Sequence, residues 1–184
     1  MKKSLLLAGA ITCCATFNAH AMNLMNMRPY VGAEYVYSYA KQGSYATHAK
    51  DNYHSGKFDL GIEWMKNIDT EFSYQMSGEL KSDSTLGEKM KSSFQAYALD
   101  IYGKYPIMCS PLSAVGTLGG AIYNTEYKDL PNKDTTKVGY RVGAGMQYDF
   151  TDHISARVIG RYSYIGTSYL NNLMEVNAGL LYKF

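Results

Sequence analysis

Between Met174 and Phe184 every second side chain is apolar: Met174, Val176, Ala178, Leu180, Tyr182 and Phe184, with Glu175, Asn177, Gly179, Leu181 and Lys183 between them. A period of two belongs to a strand with one greasy face, not to a helix. A segment of this length crosses a bilayer at a tilt of roughly 45°. In hydrocarbon a lone strand leaves its backbone N–H and C=O groups unpaired, so it needs partners that close a barrel. The rest of the chain must therefore supply the other staves.

Seven further segments read the same way. Tyr30 to Tyr39 sets Val31, Ala33, Tyr35, Tyr37 and Tyr39 against Gly32, Glu34 and Ser38. Lys57 to Trp64 and Ile68 to Met76 follow, joined by the tight turn Met65 to Asn67. Phe94 to Tyr105 presents Tyr97, Leu99, Ile101 and Tyr105 opposite Ala96, Ala98, Asp100 and Lys104. Leu112 to Tyr123 is small and apolar on both parities and is the least distinct. Val138 to Phe150 and Ile154 to Tyr164 alternate clearly across the turn Thr151-Asp152-His153. Polar loops are expected at Ala40 to Asn52, Ser77 to Ser92, Asn124 to Thr136 and Ile165 to Asn172, and a short turn at Pro106 to Pro111. The expected fold is all-β: an eight-stranded antiparallel up-and-down transmembrane β-barrel, with long loops outside and short turns toward the periplasm.

A secreted eight-stranded barrel can instead be a soluble carrier with its apolar face inside. Two observations favour lipid. The apolar parity carries no Asp, Glu, Lys or Arg in roughly 44 positions, where the chain average of 18% charged residues would give about eight. An eight-stranded interior is just wide enough for side chains, which suits the Gly, Ala, Ser and charges of the other parity. Of 18 Tyr, many fall near strand ends. With the chain's Trp and Phe they outline two girdles: Trp64, Tyr105, Tyr148, Phe150, Tyr182 and Phe184 below, and Tyr37, Tyr39, Tyr74, Tyr97, Tyr140, Tyr162 and Tyr164 above.

The chain opens with Met1-Lys2-Lys3, an apolar run from Leu5 to Ala15, and Ala19-His20-Ala21, a small-x-small cleavage pattern. Residues 1–21 are expected to be a secretory signal cut at Ala19 and Ala21, and 22–184 the barrel domain. A lipoprotein signal with Cys14 lipidated is the rival, and Ile11-Thr12-Cys13 fits it poorly. Of the three Cys, Cys13 and Cys14 go with the signal and Cys109 is left alone in a turn, so no intrachain disulfide or thiol metal cluster is expected. The formal charge of +2, with no basic block, argues against nucleic acid as a partner.

The lumen is expected to hold Glu34, Asp59, Glu63, Glu71, Asp100 and Glu175 with Lys57, Lys104, Arg141, Arg157, Arg161 and Lys183, and Asp149 near the rim. Unpaired charge in so narrow a space is costly, so these groups should pair with one another and bridge the strands. The plain reading is a structural plug. The alternative is a narrow gated pore for small solutes, in which near-balanced charge argues against strong ion selectivity.

Pro29 to Tyr35, the run from Val138 to Ser155 with the Arg157 and Arg161-Tyr162 that follow, and the terminal Tyr-Lys-Phe resemble the outer-membrane β-barrel superfamily. Its members include the barrel of outer membrane protein A, outer membrane protein X and the attachment-invasion barrels. The resemblance covers essentially the whole chain after residue 21 and implies localisation in the cell outer membrane. It also implies an assembly signal read by the barrel-insertion machinery, carried onto Phe184, Tyr182 and Leu180. The peptidoglycan-binding domain that follows the barrel in the protein A relatives is not expected here, and neither is a role in tethering the cell wall.

Some small barrels are enzymes, and particular residues bear on that class. Lipid A deacylating barrels resemble a His-x-Ser pair, and His153-Ile154-Ser155 matches those letters, but in a periplasmic turn far from an outer-leaflet lipid. The stretch Met22 to Arg28 is too short for the amphipathic helix that palmitoyl-transferring barrels resemble. His48 and His54 are read as solvated loop histidines without a metal pattern, and no cofactor is expected. The function is then that of a non-enzymatic monomer contributing to envelope structure and to surface contact or adhesion. Its extracellular loops carry Tyr45, Tyr53 and Tyr127. Expected partners are outer-membrane lipids and lipopolysaccharide, the barrel-assembly machinery and a host or environmental surface ligand.

Overall fold

The computed structural model describes residues 27–42, 52–78, 80–83, 89–108, 110–127, 135–165 and 170–184. They form β1 (Arg28–Gln42), β2 (Asn52–Met65), β3 (Ile68–Ser77), β4 (Leu80–Asp83), β5 (Lys89–Pro106), β6 (Leu112–Tyr127), β7 (Thr135–Asp149), β8 (Ile154–Tyr164) and β9 (Leu170–Lys183). Each stave pairs antiparallel with its neighbour, β1 pairs with β9, and β3 pairs with β5, which closes the sheet. Eight strands make the wall. β4 belongs to none of them: it pairs with the outer end of β5 and continues the line of β3.

The short connections all lie at one end. Ile107 N–H donates to Leu112 O at 2.9 Å and Phe150 N–H to Ile154 O at 2.9 Å, which ties down two of these turns. The longer connections lie at the other end, the extracellular side in barrels of this kind.

The staves run further than the side-chain pattern foretold. Ladder pairing carries β1 to Gln42 and starts β2 at Asn52. It also extends β5 and β6 to the Ser92↔Tyr127 pair and begins β7 at Thr135. Parts of all four expected loops are therefore strand, β9 beginning at Leu170, and Tyr53, His54 and Tyr127 lie on strands. Ladder hydrogen bonds need only backbone, whereas apolar/polar alternation is required only where one face meets lipid. Beyond the bilayer both faces are wet and the signal fades.

Parity decides exposure. Val31, Ala33, Tyr35, Tyr37 and Tyr39 do not face the lumen, while Gly32, Glu34, Val36 and Ser38 are buried in it. In the ambiguous β6, Leu118 and Ile122 face out, and Val115, Thr117, Ala121 and Tyr123 face in. Both girdles form. Tyr148 and Phe150 meet edge-on at 4.9 Å between centroids, as do Tyr182 and Phe184 at 5.2 Å, at the periplasmic rim. Tyr74 and Tyr97 lie 5.0 Å apart near the outer rim.

Candidate functional site

The inward-facing side chains stack in levels along the barrel axis. At the periplasmic end Lys104 Nζ lies 2.8 Å from Glu63 Oε2 and 2.9 Å from Asp69 Oδ1. Lys183 Nζ sits 3.1 Å from Asp149 Oδ1, which also accepts from Ser155 Oγ at 2.5 Å and Gln147 Nε2 at 2.9 Å. Strands β2, β3, β5, β7, β8 and β9 are joined here.

The next level is the densest. Lys57 Nζ contacts Glu34 at 2.8 Å, Asp59 at 2.8 Å and Glu71 at 3.1 Å. Arg157, from the opposite wall, places Nη2 2.6 Å from both Glu34 Oε1 and Glu71 Oε2. Its guanidinium lies 4.4 Å from the centroid of the Tyr102 ring. Further hydrogen bonds reach two of these carboxylates: Tyr102 Oη and Tyr30 Oη donate to Glu71 at 2.8 and 3.0 Å, and Asn177 Nδ2 donates to Glu34 at 3.2 Å. A buried charge is tolerated only when paired and hydrogen-bonded in this way.

Above it, Arg141 grips Asp100 with two nitrogens and donates to Ser73 Oγ at 3.1 Å. Arg161 lies 3.4 Å from the same Asp100 and donates to Tyr102 Oη at 2.8 Å. Glu175 accepts from Gln75 at 3.0 Å, Ser38 at 3.2 Å and Ser163 at 3.5 Å. An apolar cluster then fills a further part of the lumen: Phe94, Ala96, Ala98, Ala121, Tyr123, Ile165 and Leu173.

All ten charged residues singled out for the lumen, Glu34, Asp59, Glu63, Glu71, Asp100, Lys104, Arg141, Arg157, Arg161 and Glu175, face inward and are buried. The balance of six acids to six bases is incomplete. Asp69 is also buried and ion-paired, and with Asp149 the described lumen holds eight carboxyl groups against six basic ones. Gln75, Gln147 and Asn177 stand on the polar parity read from the sequence, which passed over Tyr30 and Tyr102. Parity alone would have found them, since Tyr102 stands between the inward Asp100 and Lys104.

The other singled-out residues are scattered. Leu180 and Tyr182 face outward, and Phe184 N–H donates to Pro29 O at 3.0 Å. His153 and Ser155 form no dyad. His153 Nδ1 is 2.9 Å from Lys183 O in the turn, while Ser155 is buried in the lumen against Asp149. Among the described residues no group of three or more His, Cys, Asp or Glu is placed to hold a metal ion. Ala19, Ala21, Cys14, Cys109, Tyr45 and His48 lie outside the described residues.

A closed antiparallel barrel with an apolar outer wall, two aromatic girdles and an ionic interior defines an integral protein of the outer membrane. The chain belongs to the outer membrane protein β-barrel domain family, whose model matches residues 6–184. Among solved structures it is similar to neisserial surface protein A, with TM-score 0.68 and 19% identity over 85% of this chain and 97% of that one. It is also similar to Ail, the attachment invasion locus protein of Yersinia pestis (TM-score 0.61, 14% identity, 85% and 98% covered), and to the N-terminal barrel of Pseudomonas aeruginosa OprF (0.57, 15%, 84% and 97%). At such identities the likeness is one of fold. No curated protein matches the chain.

Proposed function

We propose that this barrel is a sealed, non-catalytic element of the outer membrane that supports the envelope and presents its extracellular loops for surface contact. The observation that carries the reading is the filled lumen. Ion-paired and hydrogen-bonded levels reach from the periplasmic rim to Glu175, and the apolar cluster of Phe94, Tyr123, Ile165 and Leu173 adds to the filling. An interior spent on bracing leaves the loops as the variable, solvent-facing part, where binding residues concentrate on rigid scaffolds. Ail, similar in fold, is an attachment invasion locus protein crystallised with the heparin analogue sucrose octasulfate. That supports a surface-contact role without naming this chain's ligand.

Planar-bilayer recording of the purified protein tests the sealed lumen: no reproducible conductance is expected, and conductance that shifts on Arg141→Ala or Glu71→Ala would defeat it. Adhesion of a deletion strain and of loop-replaced variants tests surface contact. An altered lipid A acyl profile on deletion would instead make the protein an enzyme. The proposal includes export by residues 1–21 with cleavage after Ala21, tested by N-terminal sequencing. It also includes recognition of Phe184, Tyr182 and Leu180 by the assembly machinery, tested by the membrane-inserted yield of Phe184→Ala.

A further inference from the structure

The lumen level built around Lys57 and Arg157 is one base short. Three carboxyl groups meet there, Glu34 of β1, Asp59 of β2 and Glu71 of β3, and among the described residues the cations in contact with them are Lys57 of β2 and Arg157 of β8. Tyr30 of β1, Tyr102 of β5 and Asn177 of β9 reach the same level as neutral donors. The rim level also lacks a base, with Glu63, Asp69 and Asp149 against Lys104 and Lys183, but the Asp149 side chain is 37% exposed and meets water. Around Lys57 there is no such outlet: the five charged side chains are each at most 1% exposed. With all five ionised, the level would carry a surplus negative charge that no solvent screens.

Hydrogen bonding singles out one of the three carboxyl groups. Glu71 accepts from Lys57, Arg157, Tyr30 and Tyr102. Glu34 accepts from Lys57, Arg157 and Asn177. Both are ringed by donors, as a buried carboxylate must be. Asp59 is not. Lys57 Nζ stands 2.8 Å from its Oδ1 and Arg157 Nη2 4.0 Å from its Oδ2, yet neither oxygen accepts a hydrogen bond, because both cations direct their N–H groups at the glutamates.

We infer that Asp59 is a proton-binding site, and that the folded barrel holds one proton there which leaves two carboxylates facing two cations. The site gives the barrel a response to acid. In the unfolded chain Asp59 is solvated and ionises as an ordinary aspartate, whereas the folded level retains the proton, so the folded state binds more protons and stability falls as pH rises. The contribution is complete in acid and is lost once alkali strips Asp59. It is independent of what the loops contact and of whether the lumen conducts.

Urea unfolding in lipid vesicles at about pH 5 and about pH 9 tests the site. D59N reproduces the neutral carboxyl, so its unfolding midpoint should match the wild type at about pH 5, exceed it at about pH 9, and change less between the two. E71Q removes a carboxylate that four side chains hydrogen-bond, and its midpoint should fall below the wild type at about pH 5. The infrared difference spectrum of folded wild type against D59N at neutral pH should contain the carbonyl stretch of a protonated carboxyl. A D59N midpoint below the wild type in acid, an unaltered pH slope in D59N, or a difference spectrum without that band would each overturn the inference. So would a D59N chain that fails to show the heat-dependent gel mobility of a folded barrel, since the amide should serve as well as the neutral acid. An E71Q barrel as stable as the wild type in acid would place the proton on Glu71 and overturn it equally.

Discussion

Tyr30 lays its ring over Gly61, its direct partner across the β1–β2 ladder, and donates its hydroxyl to Glu71 on β3 at 3.0 Å. A Cβ at position 61 would fall inside that ring. The missing side chain on one strand is thus replaced by an aromatic from the next, which fixes register and fills the lumen at once.

Gly61→Ala should therefore expel the Tyr30 ring and destabilise the barrel by about 1–3 kcal/mol, the usual penalty for overpacking. Urea unfolding in lipid vesicles, followed by the fluorescence of the single Trp, measures it. Combining it with Tyr30→Leu should cost less than the sum of the two single changes, because the clash is gone. Additive losses would show that the two residues do not couple.

Arg157 offers a sharper case. Its Nη2 is shared between Glu34 and Glu71, and all three groups are buried. Arg157→Met leaves carboxylates without their countercharge and should cost about 3–5 kcal/mol. Adding Glu34→Gln to that variant should restore part of the loss. A double variant no more stable than Arg157→Met alone would mean that Glu34 is neutralised mainly by Lys57.

The depth of the outer wall is testable by charge. Ile101 faces out on β5 midway between Tyr97 of the outer girdle and Tyr105, which faces out in the periplasmic girdle. Ile101→Arg should destabilise by about 2–4 kcal/mol and Tyr105→Arg by no more than about 1 kcal/mol. The same vesicle unfolding experiment ranks them. Equal penalties would place the hydrocarbon elsewhere on the wall.

The lipid face was legible in the chain because hydrocarbon excludes charge without exception, so Leu99, Ile101, Val142 and Leu180 announce themselves by period alone. The interior was legible in its charges and not in its other contents. Tyr30, Tyr102 and Tyr123 are the same residue type as the girdle, and only their parity sends them inward. Phe94, Ile159 and Leu173 are likewise inward and buried, since a lumen must be filled to its volume and not merely kept polar. Which charges meet was beyond reach of the pattern: Arg157 and Glu34 stand on β8 and β1, brought together only by closure. His54 was read as a loop histidine because its strand outruns the alternation that reveals it.

Glu34 has one further implication. It is contributed by the first stave, yet the last two supply the Arg157 charge that neutralises it and the Asn177 amide that donates to it. A half-built sheet entering the bilayer would carry that anion with Lys57 alone beside it, so the arrival of the final hairpin both seals the cylinder and completes the neutralisation. Insertion and closure are consequently expected to coincide, with partially threaded forms too poorly compensated to accumulate.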